Sequence, residues 1–173
     1  MATSTKMFFI TQLGERLKEN ERVAQRSEAE ARDAARDGAT EQEKREDGRV
    51  TLEFGSLAKA QAVRVRKAQE ELGALARFVN SGLKAFRREG PIGLGAMIDV
   101  SIESEAGAYE ERTLLLLPVG AGNELTGPGG DGYLSVITPA SPAGKALLGR
   151  RAGETVELMA RDEARTWTVL EVA

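Results

Sequence analysis

Five carboxylates, Asp37, Glu41, Glu43, Glu46 and Asp47, stand within eleven positions of one another. Carboxylate oxygens are hard, anionic donors, and a cluster of them is a candidate acidic site. Lys44 and Arg45 interrupt the set. Its plainer reading is a solvated, charged turn in which Glu41 and Glu43 favour a helix N-terminus. Other chemistries thin out quickly. The chain has no cysteine and no histidine, which excludes disulfides, thiolate zinc sites, Cys or Ser–His nucleophiles and imidazole bases. The Gly-rich stretch 120–132 invites a phosphate-cradle reading. It lacks the Gly-Lys-[Ser/Thr] ending and opens no long helix, so it reads as a flexible hairpin connection. Arg64, Arg66, Lys67, Lys84, Arg87 and Arg88 are candidates for RNA contact, against the simpler reading of a solvated helix face. Tyr133 and Trp167 read as core aromatics.

The elements that must position the acidic group are long helices. The first 90 residues are rich in Ala, Glu, Arg, Lys and Gln, and all five prolines lie beyond them. Ile10, Leu13, Leu17, Asn20, Ala24, Ser27, Ala31 and Ala34 recur by three and four. Phe54, Ala58, Gln61, Val65, Ala68, Leu72, Leu75 and Val79 do the same. That spacing keeps a narrow stripe on one face, the seam of a coiled coil. The chain reverses at Asp37-Gly38-Ala39-Thr40, with Gly38 ending the first helix and Thr40 with Glu43 boxing the start of the second. A short connection makes the helices antiparallel neighbours with the acidic group at the tip, near 37–48. Gly48 and Gly55 predict a frayed or looped start to the second helix.

The hairpin is expected over 1–80, a connection over 81–95, and a β-rich domain over 96–173. In that domain the alternation predicts strands at Ile98–Ile102, Tyr109–Leu117, Tyr133–Thr138, Thr155–Met159 and Trp167–Val172, forming a five-stranded, mainly antiparallel sheet. Ser141-Pro142 predicts an N-cap and first turn for a short helix to Leu148. Charge divides with the modules. Residues 1–90 carry 18 Lys/Arg against 15 Asp/Glu, and residues 91–173 carry 6 against 12. Weak DNA affinity at most is expected. No apolar run is long enough to span a bilayer and the start lacks a leader pattern, so a cytoplasmic, membrane-free protein is expected, and a monomer because an intrachain hairpin already satisfies its own seam.

The segment Ile137-Thr-Pro139-Ala-Ser141-Pro142-Ala-Gly144-Lys-Ala146-Leu147-Leu-Gly149-Arg-Arg-Ala-Gly153-Glu154-Thr-Val156 resembles the C-terminal signature of the GreA/GreB transcript-cleavage factors. The order of parts is similar too: helical hairpin, short connection, FKBP-like sheet. The resemblance implies an α+β protein that is not itself an enzyme. Its hairpin would enter the secondary channel of bacterial RNA polymerase, with tip acids among Asp37, Glu41, Glu43, Glu46 and Asp47 beside the polymerase's own Mg²⁺. No intrinsic cofactor or metal is implied. Ser141, Pro142 and Ala143 would dock on a coiled coil at the channel rim. The tip departs from the family pattern: Ala39 falls where the family has its aspartate and Gln42 where it has its glutamate. In this it resembles variant homologues that enter the channel and modulate or inhibit polymerase. FKBP-like sheets also host prolyl isomerases and chaperones, although only Tyr109, Tyr133 and Trp167 are available to line a proline pocket. A coiled-coil adaptor dimerising through its helices is the remaining class.

Overall fold

The computed structural model describes residues 2–37, 48–130, 132–160 and 163–173. Among the described residues two long helices, α1 (Ala2–Asp37) and α2 (Gly48–Asn80), precede six strands and one short helix. The strands are β1 (Met97–Ser104), β2 (Tyr109–Leu116), β3 (Glu124–Thr126), β4 (Tyr133–Ile137), β5 (Thr155–Ala160) and β6 (Glu163–Val172), with α3 (Pro142–Leu147) between β4 and β5. The chain divides into two compact units. One holds Met1–Gly14 with Ala74–Ala173, and the other holds Glu15–Gly73.

In the second unit, the seam follows the spacing read from sequence. Leu17, Ala31, Val65 and Ala68 are buried, Ala24, Ser27, Ala58 and Gln61 are half-buried, and Asn20 is exposed. Asn20 and Ala24 of α1 line the same cleft as Gln61 and Ala68 of α2. α2 runs through Gly55 without a break, contrary to the expected loop there. A glycine costs a helix only about 1 kcal/mol relative to alanine. Burying Val65 and Ala68 along the same helix outweighs that.

The first unit is built on a mixed sheet of order β3-β4-β2-β1-β6-β5. Neighbours are antiparallel except β2 and β4, which are parallel. The expectation of five mainly antiparallel strands is corrected by β3, which lies inside the Gly-rich stretch. β3 forms a hairpin with β4, and β4 thereby returns in the direction of β2. Leu114 to Leu117 are all buried, as a strand covered on both faces requires. On one face Ile98, Val100, Ile102, Leu114 and Leu116 pack with Val156, Val169, Val172 and Leu147 of α3. The β1–β6 register shifts between Asp99 and Val100, so that Ile98 pairs with Val172 and Val100 with Val169. The bulge turns both valines inward and leaves Leu170 outside.

The root of α1 belongs to this unit. Leu13 is fully buried, and its methyls fill the space a side chain on Gly120 would need, at 2.8 Å. The Gln12 carboxamide pairs with the backbone of β3: Thr126 N–H donates to Oε1 at 2.9 Å, and Nε2 donates to Thr126 C=O at 3.4 Å. Lys6 is also buried, at 2% exposure, with its ammonium 4.8 Å from the centre of the Phe86 ring. Burial lowers its pKa. Trp167 packs against the core as expected, but Tyr133 does not. Tyr133 is 64% exposed, because it opens β4 at the Gly-rich turn, beyond the end of the apolar layer.

Candidate functional site

The segment from Thr138 to Val156 is a set of locks around an exposed proline. Ser141 has extended backbone angles and caps α3. Its hydroxyl donates to Thr138 C=O at 2.8 Å and accepts from Gly144 N–H at 3.1 Å and Thr138 N–H at 3.3 Å. Pro142 follows at the first helical position, where no N–H is needed. Gly144 is held so close that a Cβ would lie 1.9 Å from Thr138 C=O. Any side chain there pushes the turn apart. Leu147 then anchors α3 in the core.

Two glycines with positive φ carry the chain onward, Gly149 at 80° and Gly153 at 85°. Gly149 N–H donates to Ile92 C=O, and Ile92 N–H to Arg150 C=O, which ties the helix exit to the segment before β1. Glu154 accepts from Arg150 at 3.1 Å and from the Arg151 backbone N–H at 2.7 Å. The Arg150 hydrogen bond, then that backbone bond, holds its carboxyl below the usual range. Val156 returns to the core. Each fixed position of the motif thus has a structural cause, and the turn leaves Pro142 exposed between half-buried Ser141 and Ala143. A rigid, proline-tipped turn with little charge can do no bond chemistry. It can present a fixed shape to a partner.

Of the acidic group, Glu41, Glu43, Glu46 and Asp47 lie outside the described residues; Asp37 closes α1. Among the described residues no cluster of acids could hold a metal ion, and no helix is long and apolar enough to cross a membrane. Arg64 and Lys67 line the cleft along the seam, together with Glu71, and Arg66 is exposed. Lys84, Arg87 and Arg88 are exposed after α2, and Arg88 pairs with Glu171 at 3.5 Å. The basic residues therefore divide between the two units. The Gln12 contact was invisible to sequence reading, since a single glutamine beside a heptad position carries no signal.

Residues 99–173 match the family model for the C-terminal part of transcription elongation factor GreA/GreB. No curated protein matches the chain. Among solved structures, GreA factor homolog 1 of Thermus thermophilus is 20% identical over 95% of this chain and 92% of that one, with a TM-score of 0.36. The Thermus aquaticus protein of the same name is 20% identical over 93% and 94%, with a TM-score of 0.35. A GreA/GreB factor from Nitrosomonas europaea is 19% identical over 61% and 78%, with a TM-score of 0.34.

Proposed function

We propose, from the premise that the sheet domain of this chain belongs to the GreA/GreB transcription elongation factor family, that the protein binds bacterial RNA polymerase and modulates elongation. The sheet domain docks through Ser141, Pro142 and Ala143, and the helical hairpin enters the secondary channel. The supporting observation is the Ser141 turn, whose three hydroxyl hydrogen bonds fix an exposed proline on an otherwise acidic domain. A preorganised turn loses little freedom on docking, which favours binding by a small surface.

The protein has no catalytic residue of its own in this reading. Its tip acids, Asp37, Glu41, Glu43, Glu46 and Asp47, act by adding carboxylate oxygens beside the polymerase's Mg²⁺. Ala39 and Gln42, standing where the family pattern has acids, favour a second outcome within the same class: occupation of the channel that slows the polymerase without RNA cleavage.

Pull-down with core RNA polymerase at micromolar concentration tests the docking. A complex is expected, and Pro142→Asp should weaken it about tenfold by placing an unpaired charge in the contact. Absence of any complex with the native chain overturns the reading. A stalled, backtracked complex then separates the two outcomes. Shortening of RNA that Glu41→Ala with Glu43→Ala abolishes identifies cleavage stimulation; slowed elongation without shortening identifies inhibition.

A further inference from the structure

Strand β2 is longer than its neighbour on one side. β1 accompanies it from Tyr109 to Leu115, whereas β4 pairs with it only from Thr113 to Leu116. Among the described residues, Tyr109–Arg112 has a strand on the β1 side alone. On the other side Gly127 N–H donates to Gly132 C=O and closes the β3–β4 hairpin.

The backbone groups on the vacant side follow from the ladder. Leu116 bonds Ala96 and Gly95 on the β1 side, and Leu117 N–H bonds Ile137 C=O on the β4 side. The β1–β2 register is unbroken down to Tyr109. Strand alternation therefore points the N–H and C=O of Tyr109 and Glu111 toward the vacant side. Tyr109 is 57% exposed and Glu111 is exposed, and among the described residues no loop backbone bonds these groups.

The two faces of this half-edge each carry a cleft. One is bordered by Ile102, Ser104, Tyr109, Glu110 and Arg165. The other is bordered by Asp99, Glu111 and Thr113 and reaches across to Gly132 and Tyr133. Arg112 borders both. The arginines are neutralised locally: Arg112 pairs with Glu110 at 3.2 Å, and Arg165 with Glu163 at 3.3 Å and Glu110 at 3.8 Å. Asp99 and Glu111 are held by hydroxyls, from Thr113 and Tyr109, each at 2.6 Å. Hydroxyls leave their charges in place. The surface around the half-edge is therefore acidic, as is the segment 91–173 as a whole.

We propose that the half-edge Tyr109–Arg112 accepts an extended, Lys- or Arg-bearing segment of a partner protein as an added strand. Main-chain hydrogen bonds to Tyr109 and Glu111 supply the attachment, and alternate side chains enter the two clefts. Four residues of strand span about 13 Å, so the recognised segment is short. The charge of Asp99 and Glu111 selects a basic segment over an acidic one. The outer edge of β3 is different, because Gln12 already occupies the backbone of Thr126. This inference does not depend on polymerase binding.

Fluorescence anisotropy on the full chain tests it, with a labelled octapeptide of alternating Lys and Thr as probe. The same peptide N-methylated at every backbone nitrogen keeps the charge and loses the donors. Native protein should bind the first at least about tenfold more tightly than the second, the loss expected for a pair of hydrogen bonds. A Glu–Thr peptide should not bind. Glu111→Gln removes the carboxylate and keeps the outward N–H. Glu111→Pro removes both without touching the β1 ladder. It should weaken the Lys–Thr peptide about threefold beyond Glu111→Gln, the loss expected for one hydrogen bond, while leaving the far-ultraviolet circular dichroism unchanged. Equal binding of the plain and N-methylated peptides to native protein shows charge alone and overturns the proposal. So does equal binding to Glu111→Gln and folded Glu111→Pro, which leaves the outward N–H without a role. If Glu111→Pro does not fold, the N-methylation comparison decides.

Discussion

The sheet core and the helical seam bury their apolar surface on different terms. In the sheet, Leu114 to Leu117, Leu125 and Leu134 are almost wholly shielded, and each contributes about 2 to 3 kcal/mol on burial. Along the seam the corresponding positions are Ala24, Ser27, Gln61 and Ala68, beside an open cleft lined by Asn20, Arg64 and Lys67. Small and polar seam residues contribute little hydrophobic energy, and they let two helices lie close. Stability is concentrated in the domain that holds its shape, while the hairpin is kept narrow at the expense of cohesion.

That contrast can be broken at three places, in decreasing order of effect. Gly144→Ala forces a methyl into the Thr138 carbonyl and should destabilise the sheet domain by about 3 kcal/mol, read from urea denaturation. A loss below about 1 kcal/mol would mean the turn is not rigid. Gln61→Leu fills the polar seam with apolar surface and should raise stability by about 1 kcal/mol, seen as a higher melting temperature. A fall would show that the polar seam is itself well packed, and the contrast would vanish.

The smallest effect is a slope. Burial lowers the Lys6 pKa from 10.5, so the unfolded chain keeps that proton to higher pH than the folded one. Stability from this group therefore rises with pH, from the lowered folded value up to 10.5. Lys6→Met should remove that alkaline rise and should be no less stable at neutral pH, as measured by urea melts in both ranges. A variant that loses stability at neutral pH would show that the ammonium on the Phe86 ring more than repays its burial.

Much of this was legible in sequence, for identifiable reasons. The three-and-four spacing found the seam because Leu17 and Ala31 must share one face of α1, and Val65 and Ala68 one face of α2. Ser141-Pro142 announced a helix start, since a hydroxyl acceptor followed by a residue without an N–H fits little else. Strand β3 was hidden: Glu124-Leu125-Thr126 is too short among glycines to show a period. The exposure of Tyr133 and the burial of Lys6 were hidden for the same cause. Both depend on where a distant segment ends, Tyr133 on the apolar layer and Lys6 on the connection that carries Phe86. The tip acids were the most legible chemistry of all, and apart from Asp37 they lie outside the described residues.

The pairing of Gln12 with Thr126 joins positions 114 residues apart. On a ribosome adding about 5 to 20 residues per second, the root of α1 is made roughly ten seconds before the strand that receives it. Throughout that interval Leu13 has no Gly120 to cover it. Helix α1 therefore waits as a nascent chain with its apolar root unmet until the segment that covers it is made.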